Sequence, residues 1–390
     1  MEATFPDPLA RPLRVLILTW NFPPRQGGIE QVMWHLYHGL KARGHSVRVV
    51  TSAGAADSDS SDFLRARRAG LLPFLATAWR AGGRIAREFQ PDVVVAGSWL
   101  TAPAAWRWAP RRGRAWVVWA YGSDLVVLPW WTRGVIGALL RRAAFVLPIS
   151  QMTRQLVLEL GVRPERCPVI PPGVDVDKFS RLWSRPLPEL WPGRRVVLTA
   201  GRLVRRKGVL EYVRYVWPEV IRHCPDALLV IVGDDARGSL LHRGEPMRAN
   251  IESAIRELNL SGHVAMLGAV SDEQLADYYR RAELFVLPCL NLPKDVEGFG
   301  IVFLEAALAG TPSLSTRVGG IPDAVVDGVT GVLIEPGDWP ELAKETVALL
   351  TDTSRRHRMG HAARERAQTE FAWPVIVSRY EAVLRQAAQV

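Results

Sequence analysis

Residues 14–19 read RVLILT, a short apolar run without the polar alternation of a strand that faces water on one side. Such a run is typical of a strand buried on both faces. A loop with two prolines follows, residues 29–41 then place apolar side chains at helical spacing, and residues 46–51 read SVRVVT. This strand–helix–strand order predicts a parallel sheet with right-handed crossovers. Further strands are expected at residues 93–96, 116–120 and 145–149.

The same pattern restarts at residues 195–201, which read RVVLTAG. A helical pattern follows at residues 209–223, and an apolar run follows at residues 227–233. Later strands are expected at residues 264–267, 284–288, 311–316 and 331–334, with a helix at residues 272–281. The predicted fold class is therefore α/β, with two Rossmann-like domains facing each other across a cleft. Ligands are expected in that cleft, outside the carboxyl ends of the strands.

A breaker cluster separates the two halves of the chain. Pro171-Pro172-Gly173 opens a stretch to Pro192 that is rich in Pro and Trp, which is typical of a linker. A chain of 390 residues is also longer than one hydrophobic core normally supports. We therefore expect one domain at residues 1–175 and a second at residues 176–371.

The charge of the chain is unevenly distributed. The net charge is +10, with 22 Lys and Arg against 12 Asp and Glu in residues 1–175, whereas residues 176–390 hold 27 of each. Residues 61–115 alone contain ten Arg and three acidic residues. This excess favours an anionic partner, either a lipid headgroup, a phosphorylated acceptor or a nucleic acid. A codon bias toward Arg is the alternative explanation.

The cysteines and the apolar runs bear on the compartment. Cys167, Cys224 and Cys289 are far apart and show no disulfide or zinc pattern, which favours a reducing compartment. The first residues show no signal peptide, and no apolar run approaches the ~20 residues of a membrane span. We expect a cytoplasmic protein.

The segment from Glu297 to Glu305 reads EGFGIVFLE and holds two carboxylates. Gly298 and Gly300 allow the backbone to approach a ligand closely. A helix is expected to begin near Gly300 and to end at Ala309, with its positive dipole end suited to a diphosphate. Glu305 then suits a ribose diol, and Glu297 suits sugar hydroxyls. Two Glu on a solvated helix are the alternative.

A basic loop, residues 201–208, reads GRLVRRKG and follows a predicted buried strand. Arg grips phosphate oxygens in a bidentate manner, and Lys adds a compact positive charge. These are the groups that a departing nucleoside diphosphate needs. A solvated basic loop is the alternative.

Taken together, these segments resemble glycosyltransferase family 4, which has the GT-B fold. The resemblance covers nearly the whole chain, and residues 295–305 (DVEGFGIVFLE) are most similar to bacterial phosphatidylinositol mannosyltransferases. The matching segments are Gly27-Gly28, residues 172–175 (PGVD), Arg202 and Lys207, Glu297 and Glu305, residues 319–323 (GGIPD), and Asp327-Gly328 through Gly331.

The resemblance implies a role for each matching residue. Arg202 and Lys207 would bind the donor diphosphate, and Glu305 would hold the ribose. Glu297 and the backbone of Gly298, Phe299, Gly300 and Ile301 would hold the transferred hexose, and Gly27-Gly28 would approach the donor phosphate. Arg202, Lys207 and Glu297 are thus the implied catalytic residues.

The resemblance also implies the reaction and the course of the chain. Transfer would retain the anomeric configuration by front-face attack, without a protein nucleophile. The donor would be a nucleotide sugar such as GDP-mannose, and no cofactor or essential metal is expected. The last helix, residues 372–390, would return to the first, acceptor-binding domain, leaving the second domain to bind the donor.

One position departs from the family pattern. Many relatives carry His before a Gly-x-Asp segment, whereas this chain has Tyr121-Gly122-Ser123-Asp124. A Tyr can bind a sugar hydroxyl but cannot titrate near neutral pH as imidazole does. Tyr121 and Asp124 are the candidate acceptor-binding residues, with helix capping as the alternative role for Asp124.

Two acidic pairs resemble metal-binding motifs. Asp175-Val176-Asp177 resembles a metal-binding DxD, but it follows Pro-Pro-Gly-Val and is expected to form a turn. Asp234-Asp235 follows a predicted strand and is expected to form a loop. No metal site is predicted from the sequence.

Basic and aromatic residues alternate between Phe63 and Gln90. Arg65, Arg67, Arg68, Arg80, Arg84 and Arg87 lie among Phe63, Phe74 and Trp79, and Trp106, Trp108, Arg111, Arg112 and Arg114 follow. Such a segment suits the surface of an anionic membrane. A helix packed on its own sheet with Arg in water is the alternative.

The leading hypothesis is a transferase that moves a hexose onto a lipid-linked or glycan acceptor at the inner face of the membrane, with no nucleic acid partner. A sucrose- or trehalose-type synthase or a soluble polysaccharide synthase is a second possibility. A Rossmann oxidoreductase is disfavoured because no GxGxxG follows either opening strand. The remaining alternative is a non-catalytic protein that binds membrane or nucleic acid through its basic face.

Overall fold

The computed structural model describes residues 11–25, 27–52, 61–110, 114–180, 191–235 and 246–390. The chain divides into two compact units, Met1–Gly173 with Trp373–Val390, and Val174–Ala372. These limits differ by one or two residues from the domain limits expected from the sequence. Residues 181–190 of the expected linker, and also Arg111 and Arg112, lie outside the described residues.

The first unit is built on a six-stranded parallel sheet. Its strands are β1 (Arg14–Thr19), β2 (Ser46–Thr51), β3 (Phe63–Arg65), β4 (Val93–Ala96), β5 (Trp116–Ala120) and β6 (Phe145–Pro148). They lie in the order β3-β2-β1-β4-β5-β6. The side chains of β4 and β5 are buried throughout. This burial explains why these strands show no polar alternation.

The helices of the first unit are α1 (Gly28–Ala42), α2 (Leu71–Phe89), α3 (Ala102–Trp108), α4 (Ser123–Val126), α5 (Trp130–Leu140) and α6 (Gln151–Glu159). Helix α3 contacts both α2 and α5, so these three helices are neighbours. The segment rich in basic and aromatic residues, Phe63 to Gln90, does not form one helix. Phe63–Arg65 form an edge strand, and only Leu71–Phe89 are helical. A three-residue edge strand is too short to show a period of two.

The second unit repeats the topology. Its strands are β7 (Arg195–Ala200), β8 (Ala227–Val232), β9 (Val264–Gly268), β10 (Leu284–Leu287), β11 (Ser313–Thr316) and β12 (Gly331–Ile334). They lie in the order β12-β11-β10-β7-β8-β9, all parallel. Numbered from the first strand of each unit, both sheets have the order 3-2-1-4-5-6 of a doubly wound Rossmann fold. The two predicted Rossmann-like domains are therefore confirmed.

The second unit begins with α7 (Val176–Ser180). A long helix, α8, follows β7 and consists of Val209–Glu211, a π-helical stretch at Tyr212–Val216, and Trp217–His223. The remaining helices are α9 (Met247–Glu257), α10 (Asp272–Arg281), α11 (Ile301–Ala309), α12 (Ile321–Ala324), α13 (Trp339–Thr351) and α14 (Thr353–Glu370).

The last helix, α15 (Trp373–Gln389), packs on α1 in the first unit. Its buried Glu381 lies 3.0 Å from Arg43 and 3.1 Å from His45, and Gly39 leaves room for Val377.

Within the described part of the chain, no helix has both the length and the apolar composition that a membrane span requires.

Candidate active site

The candidate site lies at the carboxyl edge of the second sheet, where β7 and β10 are neighbours. The strand order reverses between these two strands, and open α/β sheets bind ligands beside such a switch point. The basic loop, residues 201–208, leaves the end of β7, and residues 288–300 leave the end of β10. The backbone N–H of Leu290 donates to the carbonyl of Arg206 at 2.7 Å, so the two loops are joined.

Glycines make this close approach possible. Gly208 has a φ of +65°, and a Cβ there would lie 2.0 Å from the carbonyl oxygen of Pro288. Gly201 has a φ of +130°, and a Cβ there would lie 2.8 Å from the Lys207 ammonium. Both positions combine a left-handed backbone with a steric limit, which only Gly satisfies. The glycines that bracket the basic loop therefore turn it back on the sheet edge.

The turn at Arg205–Lys207 brings two cations onto one carboxylate. Arg206 and Lys207 are buried, and the Glu297 side chain is 12% exposed. The Arg206 guanidinium hydrogen-bonds Glu297 and lies 3.2 Å from Asp295, while the Lys207 ammonium lies 3.9 Å from Glu297. The predicted residues Lys207 and Glu297 thus meet, although they are ninety residues apart.

Burial and neighbouring charge oppose each other in this cluster. Burial disfavours an ionised Glu297, but the charges of Arg206 and Lys207 outweigh it and hold the pKa of Glu297 below its usual value. Burial lowers the pKa of Lys207, and Glu297 compensates for this only in part. Burial also raises the pKa of the adjacent Cys289 thiol to about 12, so this thiol is no nucleophile at neutral pH.

A third loop supports Glu297 from the next strand along the sheet. The N–H of Gly320, which follows β11, donates to the carbonyl of Glu297 at 2.9 Å. Gly319 has a φ of +59°, and a Cβ there would lie 2.2 Å from the same carbonyl oxygen. The Gly319-Gly320 pair therefore fixes the backbone that carries the carboxylate.

Helix α11 begins where the sequence predicts. Gly300 is its N-cap residue with a φ of +88°, and Phe299 is buried against Phe371. Gly298 and Ile301 flank these two residues at the start of the helix. The first turn of α11 therefore sits at the sheet edge beside Glu297, and its backbone N–H groups are suited to an anion.

Glu305 lies one turn into α11 and has partners from two other elements. The Tyr279 hydroxyl donates to it at 3.3 Å, and the Lys178 ammonium lies 3.7 Å from it. Lys178 also lies 3.2 Å from Asp272. Burial raises the pKa of Glu305, with Lys178 opposing that shift.

The two predicted cations differ in exposure, although the charge of Arg202 still acts on Lys207 and on Glu297. Arg202 is exposed at the start of the basic loop, whereas Lys207 is buried beside Glu297. Four residues of the cluster were not predicted from the sequence: Arg206, Asp295, Lys178 and Tyr279. Arg206 lay within the basic run, but nothing in that run indicated which side chain turns inward.

The remaining candidate residues belong to the first unit. Tyr121 follows β5 and is buried, and its backbone N–H donates to Asp124 at 3.0 Å. The Tyr121 hydroxyl and the second oxygen of Asp124 have no hydrogen-bond partner among the described residues. Burial raises the pKa of Asp124 to about 6 and the pKa of Tyr121 well above its usual value.

The Gly27-Gly28 pair of the first unit lies at the start of α1, with Gly27 as the N-cap residue. Helix α1 starts at Gly28, and a Cβ at Gly27 would lie 2.5 Å from a carboxylate oxygen of Glu30. Asn21 donates to the same carboxylate at 2.8 Å. The loop after β1 is therefore tied to the first turn of the helix.

The two acidic pairs have structural partners. Asp175 accepts the N–H groups of Asp177 and Lys178 at 3.0 and 3.3 Å, so it caps the start of α7, and the segment forms a short helix instead of the expected turn. Asp235 accepts the backbone N–H of Arg248 at 3.0 Å, and Asp234 lies 3.8 Å from the Arg248 guanidinium. Among the residues that the structure describes, no group of three or more metal-ligating side chains is found.

Comparisons with known proteins agree with this geometry. The family model described as Glycosyl transferases group 1 matches residues 188–366, and the one described as Glycosyltransferase Family 4 matches residues 26–178. A GDP-mannose-dependent alpha-(1-6)-phosphatidylinositol monomannoside mannosyltransferase from Mycolicibacterium smegmatis is 30% identical over an alignment of 386 residues that covers 92% of this chain and 95% of that protein. A glycogen synthase from Mycobacterium tuberculosis is 27% identical over an alignment of 404 residues that covers 94% of this chain and 93% of that protein.

Solved structures share the fold. A sucrose-phosphate synthase from Thermosynechococcus elongatus matches with a TM-score of 0.77 at 24% identity, covering 96% of this chain and 99% of that one. HepE from Anabaena, solved with UDP and glucose, matches with a TM-score of 0.73 at 20% identity, covering 96% and 100%. The two Rossmann-like units and these matches define a glycosyltransferase with the GT-B fold. The chain belongs to glycosyltransferase family 4.

Proposed function

We propose that the protein is a retaining hexosyltransferase that moves mannose from GDP-mannose onto a lipid-linked or glycan acceptor. The observation that carries the proposal is the convergence of Arg206, Lys207 and Glu297 at the switch point of the second sheet, just before the helix that carries Glu305. The mannose donor is supported by the GDP-mannose dependence printed in the name of the Mycolicibacterium relative.

The donor would lie across the carboxyl edge of the second sheet. Lys207, Arg206 and the exposed Arg202 surround the place where a diphosphate would meet the N-terminus of α11. Glu305, one turn further on, is suited to accept hydrogen bonds from two ribose hydroxyls. Glu297 and the backbone at Phe299-Gly300 would then hold the hexose.

The chemistry needs no protein nucleophile. The acceptor oxygen would attack the anomeric carbon from the face that the diphosphate leaves, so the bond to the phosphate oxygen breaks as the new glycosidic bond forms. The acceptor proton would pass to that phosphate oxygen. Lys207 and Arg206 would stabilise the negative charge that develops on the departing diphosphate, and such stabilisation is often a large part of a rate enhancement.

We further propose that transfer requires no metal ion. Two buried cations already face the expected diphosphate, and they can carry the charge compensation that a divalent ion provides in other transferases. Activity in the presence of a chelator would support this point, and a strict requirement for magnesium would refute it.

The acceptor side would use the first unit. The unpartnered Tyr121 hydroxyl and Asp124 oxygen are buried polar atoms that an acceptor hydroxyl would satisfy. A groove of about 700 Å³ in the same unit is lined by Arg65, Arg67, Arg68, Arg80 and Arg84. Its charge suits an anionic headgroup, and we propose peripheral contact with the inner face of the membrane.

The test is transfer by the purified protein from GDP-mannose, GDP-glucose, UDP-glucose and ADP-glucose, each with magnesium and with a chelator. A phosphatidylinositol mannoside in vesicles and a maltooligosaccharide serve as the two acceptors, and proton NMR reports the anomeric configuration of the product. We expect α-linked mannose on the lipid with or without metal. Inverted product refutes retention, and transfer to the maltooligosaccharide from a glucose donor favours a polysaccharide synthase.

A matched pair of variants connects the activity to the site. Lys207→Ala should abolish transfer with the fold intact, whereas Lys344→Ala removes an exposed Lys of the same unit that pairs with Glu341 at 3.0 Å. We expect wild-type activity from the second variant. An active Lys207→Ala protein would remove Lys207 from the mechanism.

A further inference from the structure

Helix α5 of the first unit exposes a large apolar surface. Trp130 is 85% exposed, Trp131 is 68% exposed and Val135 is 74% exposed, so three of the four most exposed large apolar side chains in the described part of the chain lie on this helix. Monomeric proteins seldom leave neighbouring Trp side chains in water, and such patches mark interaction surfaces.

The helix cannot hide this surface by rotating. Its other side carries Ile136, Gly137 and Leu140, which are buried in the unit. Trp131 and Val135 are four residues apart and therefore share a face of the helix. Pro129 precedes the first turn and supplies an extended backbone there, which fixes where Trp130 begins the helix. The apolar surface is thus held outward by the packing of the opposite side.

The charge around this surface is positive. Helices α3 and α5 contain no Asp or Glu, and the neighbouring α2 contains Glu88 alone against Arg80, Arg84 and Arg87. On α5, Arg133 forms an exposed ion pair with Glu159 at 3.3 Å. The helices that contact each other therefore combine exposed Trp with an excess of Arg.

A second aromatic site continues the surface onto α3. Trp106 is 39% exposed, and the guanidinium of Arg142 lies 4.7 Å from the centre of its ring. Trp79 on α2 is 46% exposed and contacts Trp108. Trp prefers the boundary between headgroups and acyl chains, and Arg binds anionic headgroups there.

We propose that Trp130, Trp131 and Val135 form a membrane anchor that inserts into the headgroup boundary of an anionic bilayer. The proposal rests on the proposed lipid acceptor and adds the point of attachment. Trp130 lies six positions after Asp124, so their Cα atoms are at most about 22 Å apart. An anchored α5 therefore holds the candidate acceptor residues near the bilayer surface, where the headgroup of a lipid acceptor is found.

The experiment is co-sedimentation of the full-length protein with phosphatidylcholine vesicles, with and without phosphatidylglycerol. The Trp130→Ser/Trp131→Ser variant is compared with wild type and with Tyr215→Ser, which removes a 58% exposed aromatic side chain from the second unit. We expect binding of anionic vesicles to weaken about tenfold for each Trp removed, because each loses its burial in the bilayer. Tyr215→Ser should bind as wild type does.

Three readouts separate this proposal from other outcomes. Stabilisation by GDP and transfer to a water-soluble acceptor should be unchanged in the double variant, whereas transfer to an acceptor in vesicles should fall with the binding. Equal vesicle binding by wild type and the double variant overturns the anchor. A wild-type dimer that the double variant dissociates, seen by sedimentation velocity, also overturns it in favour of self-association. Trp-dependent vesicle binding without glycosyl transfer supports the anchor and refutes the proposed function.

Discussion

Glu297→Gln tests the buried charge cluster most directly. The change removes one negative charge and leaves Arg206 and Lys207 buried, with Asp295 as the nearest remaining carboxylate to Arg206. Breaking one side of a buried ion pair costs about 3–5 kcal/mol, because an uncompensated charge remains away from water. Asp295 retains part of the compensation, so we expect a loss of about 3 kcal/mol. For a unit of this size, that loss corresponds to a fall in Tm of roughly 6–12 °C.

The same change should strengthen binding of the free nucleotide. Glu297 competes with a diphosphate for two cations, so its neutralisation leaves them to the ligand. We expect the Kd for GDP to fall about tenfold, a factor that corresponds to about 1.4 kcal/mol. Transfer should fall nevertheless, because the carboxylate that accepts from the hexose hydroxyls is lost. The variant is therefore expected to be unstable when empty, tight for GDP and slow in catalysis.

Differential scanning fluorimetry with a GDP titration measures both effects, and isothermal titration calorimetry checks the Kd. Glu257→Gln is the matched control, since it breaks an exposed pair with Arg214 at 3.4 Å in the same unit. Exposed pairs contribute about 0–1 kcal/mol, so this control should shift Tm by less than about 4 °C. A Glu297→Gln protein as stable as wild type, or one that binds GDP more weakly, refutes the reasoning.

Three further changes test other parts of the fold. Gly208→Ala should lower the free energy of unfolding by about 2 kcal/mol or more, because its Cβ would meet a carbonyl oxygen of the neighbouring loop. Gly328→Ala, with a similar φ and no close neighbour, should lower it by about 1 kcal/mol, and urea unfolding measures both. Equal losses would contradict the close approach. Lys178→Met should raise the KM for the donor about threefold to tenfold, and more strongly at low pH, because Glu305 loses the positive charge that opposes the rise of its pKa. Lys178→Arg should restore the wild-type pH profile of KM. An unchanged profile in Lys178→Met would show that Lys178 does not control the ionisation of Glu305. Because burial raises the pKa of Asp124 to about 6, the folded state binds a proton that the unfolded chain has already released, and wild-type stability should fall as pH rises from about 4 to about 6. Asp124→Asn should remove a fall of up to about 3 kcal/mol between those limits, and the same pH dependence in the variant would refute it.

The sequence predicted the architecture well because buried parallel strands have a strong signal. Runs such as residues 14–19 and 227–232 are apolar without alternation, and both are buried throughout or nearly so. The edge strand Phe63–Arg65 was not predicted, because three residues cannot show the two-residue period of a strand. Its basic neighbours suggested a surface helix instead. The twofold repeat of the strand order was accessible because each unit opens with the same strand–helix–strand pattern.

The site was predictable where glycine spacing limits the backbone, and less so where burial decides. Gly300 and the start of α11 follow from the sequence, whereas the ion pairs between the basic loop and Glu297 were not predicted. Which cation turns inward depends on the turn at Arg205–Lys207, whose geometry no run of Arg and Lys reveals. Lys178 meets Glu305 from more than a hundred residues away, and such a contact is visible only in the folded unit.

In the donor site that we propose, the charge cluster would also keep the protein stable when no diphosphate is bound. Two buried cations without a counterion would oppose folding, and Glu297 supplies that counterion from the protein itself. A diphosphate brings more negative charge than one carboxylate, so it competes for Arg206 and Lys207. Glu297 is then released from part of its ion pairing and becomes available to the hexose hydroxyls. On this argument, donor binding exchanges one partner of the cations for another, and the same carboxylate serves stability in the empty protein and sugar recognition in the complex.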